Sequence, residues 1–263
     1  MIGHPVQQVH QIEQAQVGGA VLAAAGMQSY LNKKNTAFDG VDVIGAVALA
    51  PMDVTNEDAM RHLCRSIHDR WGGVQLWVHA AVHVAPLSPA GSVDMKDWDK
   101  SIATNTRATG SLIPLVEPLL LAGDGTALFL DDPRGGEKFF GAYGATKAAV
   151  NVMGESLRLE SRGKIKVTTI KPTGVPATGL SASVINPAAS VGILGHNAPE
   201  FMAMVADMQA GTFPAERLDP HNIDYASLAP AHIADAIIHA INQPWGVSLG
   251  EITVRAAGDH FIL

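Results

Sequence analysis

The sequence has little cysteine, few basic residues and no long apolar run, and each shortage excludes a class of protein. One cysteine among 263 residues, Cys64, rules out an intramolecular disulfide framework and is typical of a reducing compartment. Lys and Arg number 18 against 25 Asp and Glu, and the resulting charge of −7 argues against nucleic-acid binding. The apolar runs are too short to span a membrane, and the first residues lack a secretory pattern. We therefore expect a cytoplasmic protein.

What the sequence does contain is typical of one globular domain. Hydrophobic residues make up 47% of the chain and charged residues 16%, a composition that can bury an extensive core. The length fits a single α/β domain over residues 1–263. Eleven histidines are scattered without the spacing of metal ligands, so we expect no metal site.

Helix-type and strand-type segments alternate along the chain. Helices are predicted for "VGGAVLAAAG", "NEDAMRHLCRSIHDRWGG" and "PAHIADAIIHAINQP", and strands for "VQLWVHAAV", "GTALFLDD", "KIKVTTIKP" and "GEITVRA". This alternation predicts an α/β fold with one doubly wound parallel sheet and helices on both faces. Residues 179–228 form an insertion that is either a lid over an apolar small molecule or, as "APEFMAMVADMQAG" favours, an amphipathic helix packed on the core.

The segment "FFGAYGATKAAV" carries a tyrosine and a lysine four residues apart, Tyr143 and Lys147. Positions i and i+4 lie on one face of a helix, so both side chains can point into one cleft. An ammonium group beside a phenol favours the phenolate and makes it a better acid or base near neutral pH. The alternative is a core tyrosine above a solvated lysine.

Several segments together resemble the short-chain dehydrogenase/reductase family, from about Asp53 to Leu263. They are "MDVTNEDAM", "WDKSIATN", "YGATKAAV", "VTTIKPTGVPAT" and "HIADAIIHAINQPWGVSLGEITVR". The resemblance implies a Rossmann-like sheet of about seven strands and an NAD(P)-dependent oxidoreductase. It implies that Asn105, Tyr143 and Lys147 are catalytic. It also implies cofactor contacts from Asp53, Val54, His79, Ala80 and Thr178.

The sequence departs from the family pattern at loops that face the cofactor in relatives. The glycine-rich first turn should fall near residues 8–15, where "QVHQIEQA" has no glycine. The family's NNAG reads "HAAV" here, and Thr173 stands where relatives have glycine. Asp131 or Asp132 lies where relatives carry a catalytic serine. These departures predict that NAD(P) binds weakly or not at all.

Three functions remain compatible with this pattern. The favoured interpretation is a degenerate member that pairs with an active relative. The second is a genuine NAD(P)-dependent oxidoreductase that acts on an apolar alcohol or carbonyl through Tyr143 and Lys147. The third is non-redox chemistry on the same scaffold. By resemblance, we expect a homodimer, a homotetramer or a hetero-oligomer with a related subunit, assembled through two long helices around residues 97–121 and 143–160.

Overall fold

The computed structural model describes residues 52–84, 88–133, 140–176, 178 and 194–261. Its four strands are β1 (Leu76–His79), β2 (Thr126–Leu130), β3 (Lys166–Pro172) and β4 (Glu251–Val254). All neighbouring strands run parallel, in the order β1-β2-β3-β4. The predicted α/β fold with a parallel sheet is confirmed. The predicted helix "VGGAVLAAAG" and the rest of the first 51 residues lie outside the described ranges.

Within the described ranges, six α-helices accompany the strands: α1 (Glu57–Trp71), α2 (Met95–Ser101), α3 (Ala108–Ala122), α4 (Gly141–Glu160), α5 (Ala198–Ala210) and α6 (Pro230–Ile241). The helix predicted for "NEDAMRHLCRSIHDRWGG" is α1, and a capping residue bounds it at each end. The side-chain oxygen of Asn56 accepts a hydrogen bond from the amide of Ala59 at 3.0 Å. Gly72 ends the helix with a φ of 77°, a conformation that glycine adopts without strain.

The long helix predicted around residues 97–121 contains an irregular turn. Residues Ile102–Arg107 form a π-helical stretch between α2 and α3, and Asn105 lies within it. Such bulges are rare in proteins as a whole, and many of those that occur lie at functional sites. The sequence predicted the helix but not the bulge.

The sheet is covered on both faces, as predicted. Along β2, Ala127 and Phe129 pack in a core formed with α1, α3 and α4, where Cys64 is also buried. Leu128 points the other way and packs against α6. The predicted amphipathic helix is α5, which buries Met204. None of the described helices is long and apolar enough to cross a membrane.

One close backbone approach gives a test of this packing. The amide of Val74, just before β1, donates to the carbonyl of Leu119 in α3 at 2.9 Å. The amide of Gly123, directly after α3, donates to the same carbonyl. A Cβ added at Gly123 would lie 2.7 Å from the carbonyl carbon of Val74, with backbone that cannot easily move.

We expect Gly123→Ala to lower the free energy of unfolding by about 1–3 kcal/mol, because overpacking forces the backbone apart. Urea denaturation measures this change. Gly91→Ala is the matched control, since a Cβ there would meet nothing within 4 Å. Equal stabilities of the two variants would contradict the packing at Gly123.

Candidate active site

Tyr143 and Lys147 lie in the first turns of α4 and are both buried, with relative exposures of 5% and 6%. The Nζ of Lys147 donates to the carbonyl of Leu130, the last residue of β2, at 2.7 Å. The ammonium group is therefore held at the carboxyl edge of the parallel sheet, where ligands bind in this architecture. The alternative of a solvated lysine at position 147 is wrong.

Asn105 joins the π-helical stretch to both the segment after β1 and α4. Its Oδ1 accepts from the amide of His83 at 2.7 Å, and its Nδ2 donates to the carbonyl of His83 at 2.8 Å. The same Nδ2 donates to the hydroxyl oxygen of Thr146 at 2.9 Å, and that hydroxyl donates to the carbonyl of Tyr143 at 2.7 Å. A chain of hydrogen bonds thus connects Asn105 to the turn of α4 that carries Tyr143.

The charges around Lys147 oppose one another. Burial lowers the pKa of Lys147, while the carboxylates of Asp131 and Asp132 act to raise it. Burial also raises the pKa of Asp131, and the positive charge of Lys147 limits that rise. Oδ1 of Asp131 is buried and has no hydrogen-bond partner among the described residues. Asp131, one of the two residues at the position of the family's serine, is therefore a poorly solvated carboxyl group beside the buried lysine.

His79 ends β1 with its side chain buried, and its Nε2 lies 2.7 Å from the hydroxyl of Thr109 in α3. That hydroxyl also lies 2.6 Å from the carbonyl of Asn105, to which it donates. Burial and the nearby charge of Lys147 lower the pKa of His79 to about 3, so the imidazole is neutral. Because the Thr109 hydroxyl donates its hydrogen to the Asn105 carbonyl, it must accept a hydrogen bond from His79. The tautomer of His79 that fits therefore carries its hydrogen on Nε2. Nδ1 then has no partner in the part of the chain that the structure describes.

Among the residues that the resemblance assigned to the cofactor, His79 and Ala80 lie at the same edge of the sheet, at the end of β1. Asp53 is exposed, and its Oδ1 accepts from the amide and hydroxyl of Thr55 at 2.9 and 2.8 Å, which lowers the pKa of Asp53. Val54 is buried, Ala80 is exposed directly after β1, and the Thr178 hydroxyl donates to a backbone carbonyl at 2.8 Å. These five assignments, His79 included, stay predictions. The described residues contain no cluster of His, Cys, Asp or Glu that could hold a metal ion.

Sequence reasoning missed two parts of the site. Thr146 and Thr109 position Asn105 and Tyr143, and only the position of Thr146 inside "YGATK" could have drawn attention to it. The second part is an apolar cluster that contains Tyr143. Its buried members are Val84, Phe140, Tyr143 and Leu194, and Val82, Ala198, Phe201 and Phe261 pack against it.

The neutral state of His79 makes stability depend on pH. The folded protein keeps the imidazole unprotonated down to about pH 3, whereas the unfolded chain binds a proton below about pH 6.5. The unfolded state therefore binds more protons, and the free energy of unfolding falls as the pH is lowered. We expect wild type to lose about 2 kcal/mol more than His79→Asn between pH 7 and pH 5.

Urea denaturation at the two pH values measures this difference. The control is His62→Asn, on the exposed face of α1, where the side chain is in water before and after unfolding. An identical pH dependence of wild type and His79→Asn would show that His79 is not held neutral.

Solved structures with a similar fold include complexes with a nicotinamide dinucleotide. A short-chain dehydrogenase from Shigella flexneri 2a, complexed with NADP, matches with a TM-score of 0.64 at 19% identity, over 89% of this chain and 82% of that one. An alcohol dehydrogenase from Thermococcus sibiricus, complexed with 5-hydroxy-NADP, matches with a TM-score of 0.58 at 17% identity, over 79% and 73%. An uncharacterised oxidoreductase of Staphylococcus aureus (strain MW2) is 26% identical over 214 residues, 80% of this chain and 76% of that protein.

The expectation that NAD(P) binds weakly or not at all is contradicted by these neighbours, which hold NADP or its derivative. The expectation rested on three loops: residues 8–15, which lie outside the described ranges, the "HAAV" segment that begins at the end of β1, and Thr173 after β3. In this fold, backbone amides at a helix N-terminus bind the pyrophosphate. Every residue except proline supplies such an amide, so a turn without glycine can keep its donors.

The family itself follows from the sequence as a whole. The profile described as short chain dehydrogenase matches residues 13–188, well over half of the chain. That range includes Asn105, Tyr143 and Lys147, which the structure brings together at the carboxyl edge of the sheet. The chain belongs to the short-chain dehydrogenase family.

Proposed function

We propose that this protein is an NAD(P)-dependent oxidoreductase that interconverts an apolar alcohol and its carbonyl compound. The observation that carries the proposal is the hydrogen-bonded connection from Asn105 through Thr146 to Tyr143, with Lys147 buried one turn further along α4. The NADP complexes of its structural neighbours support the same reaction class.

Tyr143 acts as the general acid in the direction of reduction. Its hydroxyl gives a proton to the carbonyl oxygen as that oxygen gains electron density, and takes the proton back in the direction of oxidation. A positive charge on Lys147 stabilises the phenolate that remains. When it is bound, the nicotinamide cofactor supplies the hydride for reduction.

Other residues of the same edge fit the cofactor. The carboxylate of Asp53 is exposed, and both of its hydrogen bonds from Thr55 end on Oδ1, so Oδ2 can accept from an adenine amino group. The ammonium of Lys147 has three donors, of which one bonds Leu130, so it can also hold ribose hydroxyls. Residues 8–15 would bind the pyrophosphate through backbone amides.

Asp131 takes the position of the missing serine and acts in its neutral form. A carboxylate cannot donate a hydrogen bond to a substrate carbonyl, but a protonated carboxyl group can. The burial of Asp131 and the unpartnered Oδ1 favour the protonated form. The charge of Lys147 on α4, a hydrogen bond from the backbone of Asp132 and the charge of Lys171 on β3 favour the ionised form, and the charge of Asp132 opposes it.

The proposal extends to assembly and location. Val152 and Leu159, seven residues apart and hence on one face of α4, are 64% and 61% exposed, and Leu121 at the end of α3 is 40% exposed. Apolar side chains of this size in water favour contact with a second subunit across these helices. We expect a homo-oligomer, or a hetero-oligomer with a related subunit, in the cytoplasm.

Titration with NADPH and NADH, followed by cofactor fluorescence, tests the proposal directly. We expect binding in the micromolar range, and turnover of apolar ketones in the presence of the cofactor. Tyr143→Phe should keep cofactor binding and lose about 10²- to 10⁴-fold in kcat, the range that a general acid contributes. Tyr225→Phe is the matched control and should keep full activity. Failure of the wild-type protein to bind either cofactor would contradict the proposal.

The pH dependence of kcat tests the role of Asp131. If the neutral carboxyl group donates, activity falls as the pH rises through its elevated pKa. Asp131→Asn and Asp131→Ser keep a donor and should lack that fall, whereas Asp131→Ala should lose about 10²- to 10³-fold, as when an oxyanion donor is removed. Asp69→Asn, which removes an exposed carboxylate on α1, is the control. A fall at alkaline pH that persists unchanged in Asp131→Asn would rule out the donor role.

A further inference from the structure

The segment that follows β4 is attached to the carboxyl edge of the sheet through one buried carboxylate. The side chain of Asp259 is only 1% exposed. Its oxygens accept from the hydroxyl of Thr173 at 2.9 Å, from the guanidinium of Arg255 at 2.6 Å and from the amide of Phe261 at 3.2 Å. Three donors around one buried carboxylate fix the course of residues 255–261, because breaking any of them would leave buried charge poorly paired.

Two further contacts fix the backbone on either side of Phe261. Arg255 donates a second hydrogen bond, to the carbonyl of Phe261, at 3.0 Å. The side chain of Asn197, just before α5, donates to the carbonyl of His260 at 3.0 Å. The segment is therefore connected both to the sheet and to the helix of the insertion.

The phenyl ring of Phe261 occupies the space that a side chain at position 174 would need. A Cβ added to Gly174 would lie 2.7 Å from Cζ of Phe261 and even nearer to Cε2 of the same ring. Gly174 directly follows Thr173 and its bond to Asp259. The ring of Phe261 can therefore take this position only because residue 174 has no side chain.

The same ring contributes to the apolar cluster that contains Tyr143. Its centroid lies 6.0 Å from that of Phe201 in α5, and Phe140 meets Tyr143 edge-on at 6.1 Å. The cluster combines residues from the segment after β1, the start of α4, the insertion and the segment after β4. Phe261 therefore belongs to the same group of packed apolar side chains as Tyr143.

We propose that Phe261 forms a wall of the substrate pocket and sets the size of the apolar carbonyl compound that can reach Tyr143, with Asp259 and Gly174 as the positioning residues. The inference rests on the proposed function, because it concerns the substrate of the same site. Large aryl ketones are excluded by the ring, and small alkyl ketones fit beside it.

A panel of butanone, acetophenone and 2-acetylnaphthalene tests the size limit. We expect Phe261→Ala to raise kcat/KM for 2-acetylnaphthalene relative to butanone by about 10-fold or more, mainly through KM, since pocket contacts of this size are worth 10- to 200-fold. Phe261→Trp should keep the wild-type preference for butanone. A loss of stability alone would lower all three rates together and would not invert the order.

A double-mutant cycle tests the positioning role of Gly174. Gly174→Ala should displace the ring and change the ketone preference in the wild-type background. In the Phe261→Ala background the added methyl group has room, so Gly174→Ala should have no further effect. Gly250→Ala, where a Cβ meets nothing within 4 Å, is the matched control. Additive effects of the two substitutions would overturn the proposed contact.

The substrate inference and the proposed function fail in different ways. If wild type turns over butanone with NADPH and Phe261→Ala leaves the order of the ketones unchanged, the function stands and the inference is wrong. If no ketone is turned over, NMR titration tests the inference. It measures the affinities of the cofactor-free protein for acetophenone and 2-acetylnaphthalene. Tighter binding of the larger ketone by Phe261→Ala supports the inference, and unchanged affinities overturn it.

Discussion

The ammonium group of Lys147 is held out of water at the end of β2, and much of the site is arranged around that buried charge. Removing an ammonium ion from water costs several kcal/mol unless hydrogen bonds and opposite charges compensate. The carbonyl of Leu130 accepts a hydrogen bond from Nζ at 2.7 Å, and the carboxyl groups of Asp131 and Asp132 supply opposite charge. The same field reaches His79, whose pKa it helps to lower. A lysine that served only stability would be less costly at the surface, where it would stay hydrated.

The second constraint is the π-helical stretch that carries Asn105. A π-bulge alters the regular hydrogen-bond pattern of a helix, and it persists only where neighbouring groups stabilise it. Here the Thr109 hydroxyl donates to the Asn105 carbonyl, while the Asn105 amide bonds both polar atoms of the His83 backbone. The bulge is therefore fixed from the segment after β1 and from α3. Because Thr146 accepts from the same amide, the position of α4 depends on this turn as well.

The elements that could be predicted from the sequence are those with local causes. Asn56 and Gly72 bound α1 because capping is decided within a few residues, and the strand-type segments "GTALFLDD" and "KIKVTTIKP" predicted β2 and β3. The bulge at Asn105 depends on Thr109 one turn on and on His83 22 residues earlier, so no local pattern predicts it. The contact between Gly174 and Phe261 joins positions 87 residues apart. Sequence patterns show neither kind of long-range contact.

The prediction about the cofactor was wrong because it relied on residue types alone. Counting glycines treats side chains at a turn as obstacles, yet the groups that bind a pyrophosphate there belong to the backbone. Whether a side chain blocks them depends on where it points, which the residue type alone does not decide. Asp131 shows the converse case. Its identity suggests a charged group unfit to donate to a carbonyl, but burial favours the neutral form, and a neutral carboxyl group is a donor. In both places the environment of a group, and not its residue type, determines what chemistry it can support.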